Sequence, residues 1–399
     1  MLIHNIKAAI KLLLARSVKR NPGPIRVVFL CQYIPAWNKV SPLYQQMLDD
    51  ERFEPLLLCV PSNISQTQEN DTLDYYQNQG YSGIDARNGQ GGWVDLRTLA
   101  PDYVFYLRPY DHVMPLEYAS GHVCRFSKIC VIMYGMTMTK QIAEISIEPI
   151  FFRHVFFYFA ENEYMRALNR KHFPITHALR LRKTVHHGSP AIAQIIADRD
   201  KPTDIWDFTD ASFRIMWTPR WTTDLSLGGT NFFVYKDWIL DDAAQHPDTA
   251  WLLRPHPLAF ETFVNSGDMT QSEVDEYRSR IDALPNVTLD TTKEYIASMW
   301  HSHALISDIS GILPEYFVMN KPLIFCRSNM ILEPTDFTAR LLEGCYCVDT
   351  PEQLQACLAL LRNGQDPLKE KRTAIIDQLF SKTLHTSITQ ILHELINDR

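Results

Sequence analysis

The sequence predicts an α/β protein built on doubly wound parallel sheets, and three observations carry that prediction. Short apolar runs suited to buried strands recur at Arg26–Tyr33, Pro55–Val60, Tyr103–Leu107, Ile129–Tyr134 and Val155–Phe159, with helical or polar segments such as Leu43–Asp50 and Thr67–Gln79 between them. The stretch Ala304–Cys326 is a complete strand, helix, strand unit with short connections. A chain of 399 residues is long for one domain and fits two, each large enough for its own core.

The first twenty residues, MLIHNIKAAIKLLLARSVKR, form an amphipathic basic helix with Leu2, Ile3, Ile6, Ile10, Leu13 and Leu14 at helical spacing. Lys7, Lys11, Arg16, Lys19, Arg20 and Arg26 are the six basic residues of the first 26, which hold no acid, in a chain of formal net charge −7. The apolar run is too short to span a bilayer and no cleavage site follows it, so it reads either as an interfacial helix on anionic lipid or as a helix packed on its own protein. Pro22-Gly23-Pro24 ends it. Net negative charge argues against nucleic acid as the main partner. The eight cysteines, at 31, 59, 124, 130, 326, 345, 347 and 357, form no CxxC pair, and most read as reduced core residues.

Farther along, Gly89-Gln90-Gly91-Gly92 follows no clear strand and reads as a plain loop, while the polar segment 199–212 is the interdomain linker. The organisation expected is a basic helix over 1–24, a first Rossmann-like domain over 25–200 and a second over 201–399, closed by a long amphipathic helix from Lys369 to Asn397. In the second domain three strand exits carry polar groups: Arg220 after Phe213–Pro219, Arg254 and His256 after Trp251, and Ser310-Gly311 after Ala304–Ser307. If those strands are neighbours the exits converge, since such sheets bind ligands at their carboxyl ends. Ser310, Gly311 and the first amides of the helix Ile312–Met319 then make a phosphate seat, and Glu315, one turn further in, reaches for the hydroxyls of an attached sugar. His186 and His187, adjacent in a strand, point to opposite faces and make no metal pair, and His301 and His303 lack a third ligand. No metal or other cofactor is expected. Asp241-Asp242, within a helix, reads as a solvated face.

The stretch ALISDISGILPEYFVMNKPLIFC resembles the signature of the CDP-glycerol glycerophosphotransferase family, the teichoic-acid and capsule polymerases and primases, with Ile309 and Gly311 departing toward the pattern of UDP-N-acetylglucosamine 2-epimerases. Arg254-Pro255-His256-Pro257 matches the family's basic, x, His-Pro motif, and Tyr134-Gly135 stands where the family has His-Gly. The resemblance implies a GT-B fold, two Rossmann-like domains facing across a cleft, the first for the acceptor and the second for the nucleotide donor, with the C-terminal helical end packing back on the first. It implies transfer of glycerol phosphate from CDP-glycerol, or of a related alditol phosphate, to a glycan or lipid-linked hydroxyl, with release of CMP at the inner face of the cell membrane. Arg220, Arg254, Ser310 and Gly311 would hold the donor phosphates and Glu315 its sugar. Tyr134, replacing the family's histidine, is a poor base near pH 7, which leaves His256 either as base or as cationic clamp. A GT-B glycosyltransferase or epimerase using a nucleotide-sugar, and a glycan-binding member without activity, remain open.

Overall fold

The computed structural model describes residues 2–16, 23–61, 71–200, 206, 211–292, 295–327 and 331–398. They form two compact units: Met1–Thr137 with Ala143–Gln194 and Lys382–Arg399, and Met138–Ile142 with Ile195–Ser381.

In the first unit the strands are β1 (Ile25–Cys31), β2 (Phe53–Cys59), β3 (Gly83–Asp85), β4 (Tyr103–Tyr106), β5 (Lys128–Ile132), β6 (Val155–Ala160) and β7 (Lys183–His186), in the order β3-β2-β1-β4-β5-β6-β7. Every pairing is parallel. Their residues are apolar on both faces because both faces are covered: Val27, Phe29 and Cys31 enter one core cluster, Val28 and Leu30 the other. Three-residue β3, half-exposed along its length, is too short to stand out as a strand in the sequence.

The second unit contains β8 (Phe213–Thr218), β9 (Thr249–Leu253), β10 (Val287–Leu289), β11 (Ala304–Ser307), β12 (Leu323–Cys326) and β13 (Tyr346–Val348), ordered β10-β9-β8-β11-β12-β13 and again parallel throughout. Strand order reverses between β1 and β4 in the first sheet and between β8 and β11 in the second. Those two switch points are where doubly wound sheets open a crevice for ligands.

Two expectations are corrected. The long terminal helix is two, Lys369–Phe380 and Ser387–Asn397. The second half belongs to the first unit, where Ile391, Leu392 and Leu395 join its core, the Tyr103 hydroxyl donates to Leu395 O and Asp398, and Lys128 pairs with Asp398 at 2.5 Å. The break sits where Thr383 packs on Gly188, whose φ of +78° and contact with Thr383 leave no room for a side chain. Conversely Met138–Ile142 leaves the first unit: Thr139 bridges to Pro334 and Lys140 pairs with Glu333.

The helix Leu2–Arg16 buries Asn5, Ala8, Ala9 and Leu12, with the Asn5 amide donating to His172 O at 2.8 Å. The apolar stripe Ile3, Ile6, Ile10 and Leu13 is exposed instead, from 46% to 67%. So Ala8, Ala9 and Leu12 pack while this stripe faces solvent. The side chains of Leu2, Leu14 and Arg16, together with residues 17–22, lie outside the described residues, as does most of the expected linker. No described helix is long and apolar enough to cross a membrane.

Candidate functional site

At the second switch point the exits of β9, β8 and β11 are neighbours, so Arg254, His256, Arg220 and Ser310 do fall along one edge. The group that organises this edge is Asp308, 1% exposed, which sequence reasoning passed over. Its carboxylate accepts from the Arg220 amide (2.8 Å), the Thr230 hydroxyl (3.2 Å), the Asn231 amide (3.2 Å) and the Asn231 side chain (2.6 Å). Burial pushes the Asp308 carboxyl up, and these donors pull it back.

Arg220 locks the same loops. Its guanidinium donates to Ile309 O and Leu227 O, and the backbone at Gly228 (φ +104°) lies so close that a Cβ there would sit 3.2 Å from Arg220 Cζ. Since both partners are neutral carbonyls, Arg220 keeps its charge, although burial lowers its basicity. Arg254 differs: it pairs with Asp290 at 2.5 Å and donates to Thr292, so its charge is neutralised within the protein. The Arg254 Cζ lies 5.5 Å from the Tyr295 ring centre, and the Tyr295 hydroxyl donates to Glu315 at 2.6 Å. Glu315 is 3% exposed, so it is anchored rather than free-standing.

His256 is oriented by a neighbouring amide. The Leu258 amide donates to its Nδ1 at 3.2 Å, which puts the proton of the neutral ring on Nε2. Burial, and then the nearby Arg220 charge, push its pKa down to about 4. Held in this way, the neutral ring presents Nε2–H as a hydrogen-bond donor.

Ser310 ends the β11 exit. The Leu313 amide donates to Ser310 O at 3.1 Å, whereas no hydrogen bond among the described residues engages the Ser310 hydroxyl or the amides of Ser310 and Gly311. Gly311 has right-handed backbone (φ −63°) and stands as N-cap to Ile312–Phe317, shorter than the helix expected. Lys321, at the end of that stretch, donates to Met299 O, Trp300 O and Ser302 O and closes the helix Ile296–His301.

Tyr134 belongs to the first unit, just past β5. Its hydroxyl shares a 3.3 Å hydrogen bond with Tyr110, and its ring packs edge-on to Tyr33. The other histidine candidates are occupied: His187 with Glu394, His186 with Glu163, and His303 with the Arg214 amide. Asp242 pairs with Arg362 rather than facing solvent. Among the described residues no three His, Cys, Asp or Glu side chains gather as a metal would require. The missed loop Gly228-Gly229-Thr230-Asn231 had a visible signal: paired glycines between a strand and the helix Phe232–Gln245. The Gly89–Gly92 loop, by contrast, is closed by the Asn88 side chain and serves itself.

No protein-family model and no curated protein matches this chain. Solved structures do. It is similar to a UDP-GlcNAc 2-epimerase from Neisseria meningitidis bound to UDP-GlcNAc, with TM-score 0.60 at 13% identity over 94% of this chain and 100% of that one. It is similar to a variant of the wall teichoic acid polymerase TagF, with TM-score 0.60 at 14% identity over 99% of this chain and 93% of that one. The S. aureus MnaA–UDP structure gives TM-score 0.55 at 12% identity over 92% and 94%. At such identities the likeness is one of fold, and the fold is the two-sheet α/β GT-B type.

Proposed function

We propose that this chain is a transferase that takes a glycerol-phosphate, or related alditol-phosphate, unit from a CDP-activated donor to a hydroxyl of a cell-surface glycan or lipid-linked acceptor, releasing CMP. One observation carries the reading. At the second switch point, where the nucleotide signature falls, Asp308 and Arg220 hold the loops while the Ser310 hydroxyl and the amides of Ser310 and Gly311 keep no partner among the described residues. Preorganised neutral donors beside a retained arginine charge suit a diphosphate, because they need no rearrangement as charge develops. The fold shared with TagF and the epimerases supports a nucleotide-activated donor.

In the proposed step the acceptor oxygen bonds to the glycerol-bearing phosphorus, and the bond from that phosphorus to the bridging oxygen breaks. CMP leaves with the electron pair, and the hydroxyl proton passes to solvent. A loose transition state places little demand on a base, so positioning and charge carry catalysis. Arg220, Ser310 and Gly311 take the phosphates, and the Nε2–H of His256 adds a neutral donor. Arg254 orients Tyr295 and, through it, Glu315 on the sugar side. Tyr134 offers a hydroxyl to the acceptor.

Incubating the chain with CDP-glycerol, CDP-ribitol and UDP-GlcNAc, with and without a glycan acceptor, tests this. CMP release from a CDP-alditol is the expected result. Turnover of UDP-GlcNAc alone would favour the epimerase reading, toward which Gly311 leans, and turnover of none would leave a binding protein. We also place the Leu2–Arg16 helix on anionic lipid, because an exposed apolar stripe beside exposed Lys7 suits such a surface.

A further inference from the structure

The first sheet has its own switch point, between β1 and β4, and it carries a polar cluster that no hydrogen bond explains. The β1–β4 register pairs Val27 with Tyr103 through Leu30 with Tyr106. Continued by two residues, it sets Gln32 beside Arg108, one residue past the end of β1 and two past the end of β4. Gln32 is fully buried, yet neither its Oε1 nor its Nε2 has a partner. Arg108 has buried Nε and Nη1 atoms without partners, and no ion pair among the described residues engages it. The nearest acid in sequence, Asp111, is used by the amide and hydroxyl of Ser120.

Aromatic rings surround this charge. The Arg108 Cζ lies 4.7 Å from the Tyr33 ring centre and 5.6 Å from that of Tyr110. Stacking of this kind holds the guanidinium plane while leaving its N–H groups to donate in that plane. Tyr110 and Tyr134 share one hydrogen bond at 3.3 Å, which uses one of their two hydroxyl hydrogens and leaves the other. Buried amides and guanidinium nitrogens are rarely left unpaired, because each costs free energy without a partner. A cluster of several at a switch point is the mark of a ligand group that completes it.

We propose that Arg108 and Gln32, framed by Tyr33, Tyr110 and Tyr134, form an oxyanion site in the first unit, taking a phosphate-ester or carboxylate group on a hydroxylated ligand. The guanidinium and the Gln32 amide donate to the anionic oxygens, and the free tyrosine hydroxyl donates to a ligand hydroxyl or a third oxygen. The site extends the function proposed above, resting on it only in identifying this ligand with the acceptor, which it makes anionic.

Binding can be measured without any transfer. Calorimetry on the full chain with sn-glycerol 3-phosphate, D-glucuronate and glycerol should show heat for one or both anions and none for glycerol, and the two anion arms separate phosphate from carboxylate. Arg108→Gln should weaken the bound anion about 10- to 100-fold, the loss expected for a charge-assisted hydrogen-bonded pair, and should leave CDP affinity unchanged. Gln32→Leu, which removes no charge, should give a smaller loss and serves if the arginine variant does not fold. No anion binding by the wild type, equal binding by both variants, or a parallel fall in CDP affinity would overturn the site. Anion binding without turnover of any CDP-alditol would instead sink the transferase reading and leave this site standing.

Discussion

The two switch points have the same topology and opposite internal economies of polar groups. In the second unit Asp308 satisfies four donors, Arg254 is neutralised by Asp290, and Arg220 is held by two carbonyls that leave its charge in place, so the edge is rigid before anything binds. In the first unit Arg108 and Gln32 are held by rings and left without hydrogen-bond partners. One edge is built as a mould, the other as a socket. Topology alone locates both, but only the accounting of donors and acceptors tells them apart.

The largest effect that would break this comparison belongs to Asp308. Asp308→Ala strands buried donors in three residues and should lower stability by about 3–5 kcal/mol, read as a fall in the urea midpoint. A loss under about 1 kcal/mol would mean the edge is not held by this carboxylate. His256 comes next. Its pKa is depressed to about 4 against about 6.5 for a free imidazole, so its contribution is present above pH 6.5 and is lost as pH falls toward 4. Replacing it by Gln should remove on the order of 2–3 kcal/mol of that acid sensitivity, seen as a smaller change in midpoint between pH 7 and pH 4. For the same reason turnover should stay level from pH 6 to pH 8; a rate that climbs through 6.5 would restore His256 as base.

At the socket the sign reverses. Arg108→Met removes a charge that no ion pair or hydrogen bond among the described residues compensates, and should leave stability unchanged or raise it by up to about 1 kcal/mol. A drop of several kcal/mol in a thermal melt would show that Arg108 is structural and the two edges alike. The smallest effect on stability is expected outside both. Changing Ile3, Ile6, Ile10 and Leu13 to Ser should cost no more than about 0.5 kcal/mol each, yet abolish sedimentation with anionic vesicles. Undiminished sedimentation would move the lipid contact elsewhere.

Most of the architecture was legible because buried parallel strands announce themselves: Arg26–Tyr33 and Ala304–Ser307 are apolar on both faces and flanked by turn residues. Thr270 with Glu273 even spells out the capping box that starts the helix Gln271–Asp282. At the site, the edge positions of Arg220, Arg254, His256 and Ser310 could be read, but their partners could not. That Asp290 neutralises Arg254, or that the Leu258 amide takes the Nδ1 of His256, depends on loops brought together by the fold. Asp308 looked like a turn residue because nothing local reveals that four donors converge on it. The basic helix left two readings open, a stripe on lipid or a stripe packed on the protein, and only the fold separates them: Ala8, Ala9 and Leu12 pack while Ile6 and Ile10 stay outside.

The first unit is assembled from segments separated by nearly all of the second. Ile391, Leu392 and Leu395, which complete its core, are synthesised only after residues 195–381. At 5–20 residues per second, that interval is roughly 10–40 s. Through that interval the second unit is itself being made, so its residues are complete before Ile391, Leu392 and Leu395 can close the core of the first. The unit begun first is therefore finished last.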